Sequence, residues 1–281
     1  MTEASSYSPS MLRGLWALTN RELKKWYKAP LIFFLSIIQP IIWMGLLGKA
    51  MNLSALIPTN IPGLDVDAVM KTSLGTSDYF SFMAVGMIGM TALFTTMFSG
   101  MSVVWDRRLG FLNKVLSTPV SRGVIIFSKV LSATLRSMFQ AGIIILIAFA
   151  FGLKFGAGFS LLNLLGVFGI LFLLCVGLSS AFIAITIRST RMETPMAVMN
   201  LISLPMMFAS NAMFPSKLMP DWLQPVAHVN PLSYANDAVR QLLIFDAIDY
   251  TQLAMDFAYV GVFAVIVASI GIVLSWRFLR K

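Results

Sequence analysis

The sequence predicts an all-α integral membrane protein with six transmembrane helices. Three observations carry this reading. Hydrophobic residues make up 58% of the 281 residues and charged residues 12%, about half the charged share of a soluble domain. Mean hydropathy is +0.82, and a compact soluble domain cannot hide that much apolar surface. Six apolar stretches approach or exceed the roughly 20 residues that cross a bilayer. The segments between them then separate by charge, with 16 of the 21 basic residues on one side and 5 on the other. The positive-inside rule makes the basic side cytoplasmic, so both termini are expected there. The net charge of +9 is thus a topology signal, and nucleic acid is not expected as a partner.

Residues 1–29 are expected to form a cytoplasmic amphipathic interfacial helix. Ser8 is placed to cap it and Pro9 to open its first turn. Leu12, Leu15, Trp16, Leu23, Trp26 and Tyr27 fall near one face, and Arg13, Arg21, Lys24, Lys25 and Lys28 on the other, the pattern of a helix lying in the headgroup region. Residues 30–281 form the six-span domain, with spans near 30–51, 79–104, 133–153, 160–187, 195–214 and 253–276. The first span starts at Pro30, is full length and has no small-residue cleavage site behind it, so it is expected to stay as an anchor.

Between the second and third spans lies a cytoplasmic coupling loop, 105–122. Leu109, Leu112 and Leu116 recur there at helical spacing. Pro119 stops that helix and Ser121 is placed to cap the next. On the outer side, residues 215–252 carry Pro215, Pro220, Pro225 and Pro231 between apolar runs too short to cross. Broken, re-entrant outer helices before the last span fit best, since such backbone survives at membrane depth only when packed in protein or lining a cavity.

At these two stretches the chain resembles the permease subunits of type-2 ABC exporters, in particular the daunorubicin-resistance branch. The coupling loop matches at Asp106, Arg107, Gly110, Phe111, Leu112, Leu116, Pro119, Ser121 and Arg122. The outer segment matches at Pro205, Ser210-Asn211-Ala212, Phe214-Pro215, Leu218, Pro220-Asp221-Trp222-Leu223, Asn230-Pro231-Leu232-Ser233-Tyr234, Asp237-Ala238 and Arg240. One departure is Asp106, where much of the family has Glu. The resemblance covers nearly the whole chain. It implies a prokaryotic plasma-membrane protein that pairs with a second permease copy and docks a separate ATPase subunit. That ATPase would carry the ATP and Mg, and its hydrolysis would drive export. Asp106, Arg107, Arg108, Gly110, Leu112, Leu116 and Pro119 are the residues expected to couple to it.

The residues themselves limit the alternatives. Gly48-Lys49-Ala50 lacks the earlier glycine and the hydroxyl of a phosphate-binding loop, so no nucleotide is expected on this chain. No charged residue lies in the central two-thirds of any expected span, where one costs about 2.5–3.5 kcal/mol. That argues against a proton- or sodium-driven carrier. A single histidine, His228, and a single cysteine, Cys175, leave no metal site or acid–base pair for a membrane enzyme. A passive channel or lipid scramblase without an ATPase remains the alternative.

Methionine is the last signal. Met83, Met87, Met90, Met97 and Met101 stripe the second span, and Met192, Met196, Met199, Met206 and Met213 the fifth. Methionine suits surfaces that accept varied apolar partners. Met83, Met90, Met97, Met199, Met206 and Met213, with Gln39 and Asn211, are candidates for a substrate pathway. Adaptable packing between helices explains the stripes equally. Gln140, Asn163 and Asn200 are expected to bond between helices.

Overall fold

The computed structural model describes residues 11–49, 66–118, 120–189 and 191–279. Ser8, Pro9 and Pro119 therefore lie outside the described residues. All regular structure among them is helical: α1 (Met11–Tyr27), α2 (Pro30–Trp43), α3 (Val66–Leu74), α4 (Tyr79–Arg108), α5 (Phe111–Leu116), α6 (Arg122–Ala150), α7 (Asn163–Thr186), α8 (Glu193–Phe208), α9 (Gln224–Val229), α10 (Pro231–Leu243) and α11 (Tyr250–Leu279).

Among the described residues four stretches are long and apolar enough to cross a membrane: Asp67–Arg108, Arg122–Ala150, Asn163–Thr186 and Tyr250–Leu274. Phe33–Lys49 is apolar but shorter, and α8 has 16 residues. The spans expected first and fifth are thus the short ones. Pro40 sits inside α2. It withholds the N–H that the Ser36 carbonyl would accept, and four residues later the helix widens into a π-helical segment, Met44–Lys49. Such widenings absorb a mismatch in the hydrogen-bond ladder.

α4 is the central post. It packs against α2, α6, α7, α8 and α10, and it is buried along most of its length. Asp78 caps it by accepting from the Ser81 N–H at 3.1 Å and the Ser81 hydroxyl at 2.7 Å. Glycine lets its neighbours come close: a Cβ on Gly86 would collide with the Ala212 backbone, and one on Gly89 with the Asn236 side chain. The core runs from α4 through Val167, Ile170, Leu174 and Leu178 of α7 to Leu232, Ala235 and Leu243 of α10. The opposite faces of α2 and α11 leave large apolar side chains uncovered, among them Leu31, Phe34, Leu35, Ile38, Val262, Val265 and Ile266. Such continuous apolar exposure fits lipid as the surrounding medium.

Several element edges differ from the sequence reading. α6 starts at Arg122, directly after Ser121 as expected, and so runs on well before the expected span edge at 133, which makes Lys129 and Arg136 helical residues rather than loop charges. α8, at the place of the expected fifth span, ends at Phe208, where Ala209 and Ser210 turn the chain, so Met213 is not part of the α8 stripe. Ser121 occupies the cap position of α6 without a side-chain capping bond. α1 also sits differently. Its apolar Met11, Leu12, Trp16 and Tyr27 are exposed, whereas Thr19 and Glu22 are buried. Arg21, Glu22 and Lys25 reach opposite charge on the protein, whereas Arg13, Lys24 and Lys28 stay exposed.

The outer segment between α8 and α11 is built from a 3-10 turn at Ser216–Leu218 and the short helices α9 and α10. Asn230 starts α10. Its side chain accepts from the Leu232 N–H at 3.0 Å and donates to the Met206 carbonyl at 2.7 Å. Pro231 then fills the first turn, where its missing N–H does no harm. α10 is buried on nearly every side against α7, α11 and α4.

Candidate coupling region and substrate cavity

Two regions gather the residues singled out above. The first is at the C-terminal end of α4. Gly110 has φ +70°, a left-handed conformation that any other residue adopts only with strain. A Cβ there would meet nothing within 4 Å, so backbone geometry alone calls for glycine. This kink ends α4 and starts α5. The structure seats α5 on its own chain: Leu112 and Val115 are buried with Val103, Ile125, Ile126, Val130, Ile183 and Ile187. Leu116 is half-buried. Leu109, placed on the same stripe by its spacing, is instead 76% exposed, because the Gly110 turn breaks the helical register. The outward face carries Arg108, Leu109, Asn113 and Lys114. Arg107 donates to the Ser189 carbonyl at 3.4 Å, across to the loop before α8.

Asp106 lies behind this face, 2% exposed. Lys129 of α6 donates to its Oδ2 at 2.6 Å, Lys25 to its Oδ1 at 2.9 Å, and Arg21 to the same oxygen at 3.3 Å. Glu22 accepts from Arg21 at 2.8 Å, Lys25 at 3.3 Å and Lys129 at 3.4 Å. The Arg21 guanidinium also lies 3.2 Å above the Phe111 ring. One buried ion cluster therefore joins α1, α4, α5 and α6. Taking such charges out of water is unfavourable unless every partner is present. This network was missed from the sequence, where Arg21, Lys25 and Lys129 were read as cytoplasmic charge. A usable signal was the scarcity of acids: Asp106 is the lone carboxylate of the coupling loop and Glu22 the lone one within 10–28.

The second region is a cavity of about 320 Å³ between α2, α4 and α8, within the size range of small-molecule sites, ~300–1,000 Å³. Gln39, Met90 and Met213 line it, together with Trp43, Met87, Phe94, Phe98 and Met207. The other pathway candidates lie elsewhere. Met83 and Met199 are packed in the core. The Met97 sulfur accepts from the Ser203 hydroxyl at 3.1 Å. Met206 points away and lines a separate apolar groove with Leu178, Phe182 and Phe263. The neighbour Met207 takes the cavity face, since one helical step turns a side chain by about 100°. Asn211 is buried outside the cavity. Its side-chain amide donates to Asp237 at 3.2 Å, and its backbone carbonyl accepts from Arg240 at 2.7 Å.

Arg240 is 1% exposed. It also donates to the carbonyls of Ala212 at 3.1 Å and Phe82 at 3.4 Å, and lies 3.6 Å from the Phe82 ring centre. It thereby pins the turn after α8, which delivers Met213, onto α4. Gln140 ties the cavity's other side. It donates to Ser36 at 2.7 Å and accepts from Thr95 at 2.6 Å, joining α6 to α2 and α4. Asn163 donates to the Leu242 carbonyl at 3.1 Å, joining α7 to α10.

The profile of the family described as ABC-2 type transporter matches residues 13–244. ycf38 of Pyropia yezoensis, which bears a transport-permease name, is 30% identical over 238 residues, covering 84% of this chain and 76% of its own. ycf38 of Porphyra purpurea is 29% identical over the same coverage. The daunorubicin resistance ABC transporter permease protein DrrB1 of Streptomyces coeruleorubidus is 24% identical over 171 residues, 60% of this chain and 59% of its own.

Proposed function

Because the chain belongs to the ABC-2 type transporter family, we propose that it is the membrane-spanning permease subunit of an ATP-driven exporter. Its substrate is a hydrophobic or amphipathic molecule, drug or lipid-like, and the ATP is hydrolysed on a separate subunit. The reading puts six spans in a prokaryotic cell membrane with both termini in the cytoplasm. α2 and α8 then cross despite their length, helped by tilt and local bilayer thinning.

The observation that carries this function is the mounting of α5. A short helix with Asn113 and Lys114 on its outer face, beside the exposed Arg108 and Leu109 of the turn before it, hangs from the end of α4, the most enclosed of the four candidate spans, and is buttressed by the Asp106 cluster. A push on that face reaches α4 and α6 through buried charge and packed Leu112. α4 and α6 in turn bound the cavity region through Phe94, Phe98 and Gln140. A second permease copy is proposed to cover α2 and α8. Both expose an amide in an otherwise apolar stretch, Gln39 and Asn200, and lipid offers such groups no partner.

Association with an ATPase tests the reading. Arg108→Glu with Leu109→Glu changes only exposed side chains. These changes are expected to abolish co-purification of an ATPase while leaving the permease monodisperse in detergent. Unchanged association with the double variant removes α5 as the docking element.

A further inference from the structure

A second cavity, about 410 Å³, opens beside the ion cluster between α1, α4, α6 and the start of α8. Its wall is apolar, formed by Trp26, Phe98, Met101, Trp105, Met192 and Met196. Its inner end is cationic. Lys25 and Arg136 line it alongside Glu22. The Glu22 carboxylate is already held by Arg21, Lys25 and Lys129. Around this end four cations, Arg21, Lys25, Lys129 and Arg136, face two carboxylates, Glu22 and Asp106, so positive charge is in excess. Arg136 is the least satisfied of them. Its Nε donates to the Ser132 carbonyl at 3.3 Å, and it makes no ion pair with any described residue. Trp105 and Phe98 at the mouth are 54% and 58% exposed, so the cavity opens sideways. Tryptophan at such a level marks a membrane–water interface.

We propose that this cavity binds an amphiphile with an anionic headgroup from the cytoplasmic leaflet, its headgroup on Arg136 and its chain along the Trp105–Met196 wall. This deepens the exporter reading, on which the leaflet and the role as a loading site rest. It makes the substrate an amphiphile that is negatively charged at one end. The charge stays at the interface and need not cross the apolar middle of the protein at this site. An arginine is suited to it, since a planar guanidinium meets phosphate or carboxylate with two parallel donors.

The probes are short-chain phosphatidylglycerol and phosphatidylcholine carrying the same fluorophore and the same acyl chains, titrated onto the purified full chain in one neutral detergent. The expected result is a preference for phosphatidylglycerol of about tenfold, the size of one charge-assisted hydrogen-bond contact. Arg136→Gln abolishes the preference and Arg136→Lys keeps part of it. Met196→Glu, which puts a negative charge at the exposed mouth, also abolishes it and guards against a folding defect in the first variant. Inorganic phosphate at the same concentrations does not compete, because the chain is needed. Equal affinity for the two lipids overturns the proposal, as does a preference that survives both Arg136→Gln and Met196→Glu. Competition by inorganic phosphate would leave a free-anion site instead and would overturn the amphiphile. None of these readouts requires an ATPase, so failure here and failure of the exporter reading are separately visible.

Discussion

Lys129 is the residue that ties together α1, α4 and α6. Its ammonium touches Asp106, Glu22 and Ser102 and is 3% exposed. Lys129→Met leaves two buried carboxylates facing fewer cations, and removing one partner of a buried pair costs about 3–5 kcal/mol. A large drop in the apparent melting temperature of the detergent-purified protein is expected, and an unchanged one would show the cluster to be hydrated. Gly110→Ala is a milder case. The site is open, so only the left-handed backbone opposes it, at about 1 kcal/mol, and the loss should fall on coupling more than on stability. At the outer surface, Lys71 donates to Asp246 at 2.9 Å. That bond, and then the Ala157 N–H, hold the Asp246 carboxyl below the usual carboxylate range. A lowered value means the folded arrangement is favoured above the unfolded pKa, about 4, and loses this tie as pH falls through the folded one. Protection of the Ala157 amide, its exchange rate relative to the intrinsic rate at the same pH, should therefore fall on acidification below pH ~4, and fall at neutral pH in Asp246→Asn.

Among the elements, α8 and α2 show what sequence patterns convey and where they stop. The existence of both was legible from apolar runs, and the methionine stripe was legible as a stripe. Its direction was not, because period alone does not say which neighbour a face meets. Met206 and Met207 differ by one step and line different cavities. Met213 reaches its cavity from a turn held by Arg240 through the Asn211 and Ala212 carbonyls, contacts across 29 and 28 residues that no local pattern encodes. The α1 amphipathicity is likewise visible, but the sequence assigns Arg21 and Lys25 to water because, apart from the local Glu22, their matching acid is Asp106 on α4, 85 and 81 residues away. Substrate spectrum should follow the geometry. Met207→Ala and Met90→Ala alter it in transport assays, whereas Met206→Ala does not. The reverse order would move the route to the groove beside Phe263. Arg240→Ala leaves three carbonyls without their donor and is expected to lower both stability and transport, since Met213 loses its anchor.

At the scale of the whole molecule, family, membrane residence and the all-helical class were legible from composition and two motifs, and the family match covers residues 13–244. The ion cluster and the two cavities were not legible, since each is assembled from three or more helices. Their arrangement puts an exposed face at α5, a charged joint behind it, and apolar cavities flanking α4 at two levels, and we propose the α5 face for docking. An ATPase moving α5 would reshape both. The most direct measurement is purification of the tagged chain from its own membranes in mild detergent, followed by an ATP hydrolysis assay. A co-purifying ATPase in equal amount, lost with Arg108→Glu and Leu109→Glu and stimulated by the phosphatidylglycerol probe, is the expected result. A chain that purifies without any ATPase activity, yet conducts ions or scrambles lipids on its own, would contradict it.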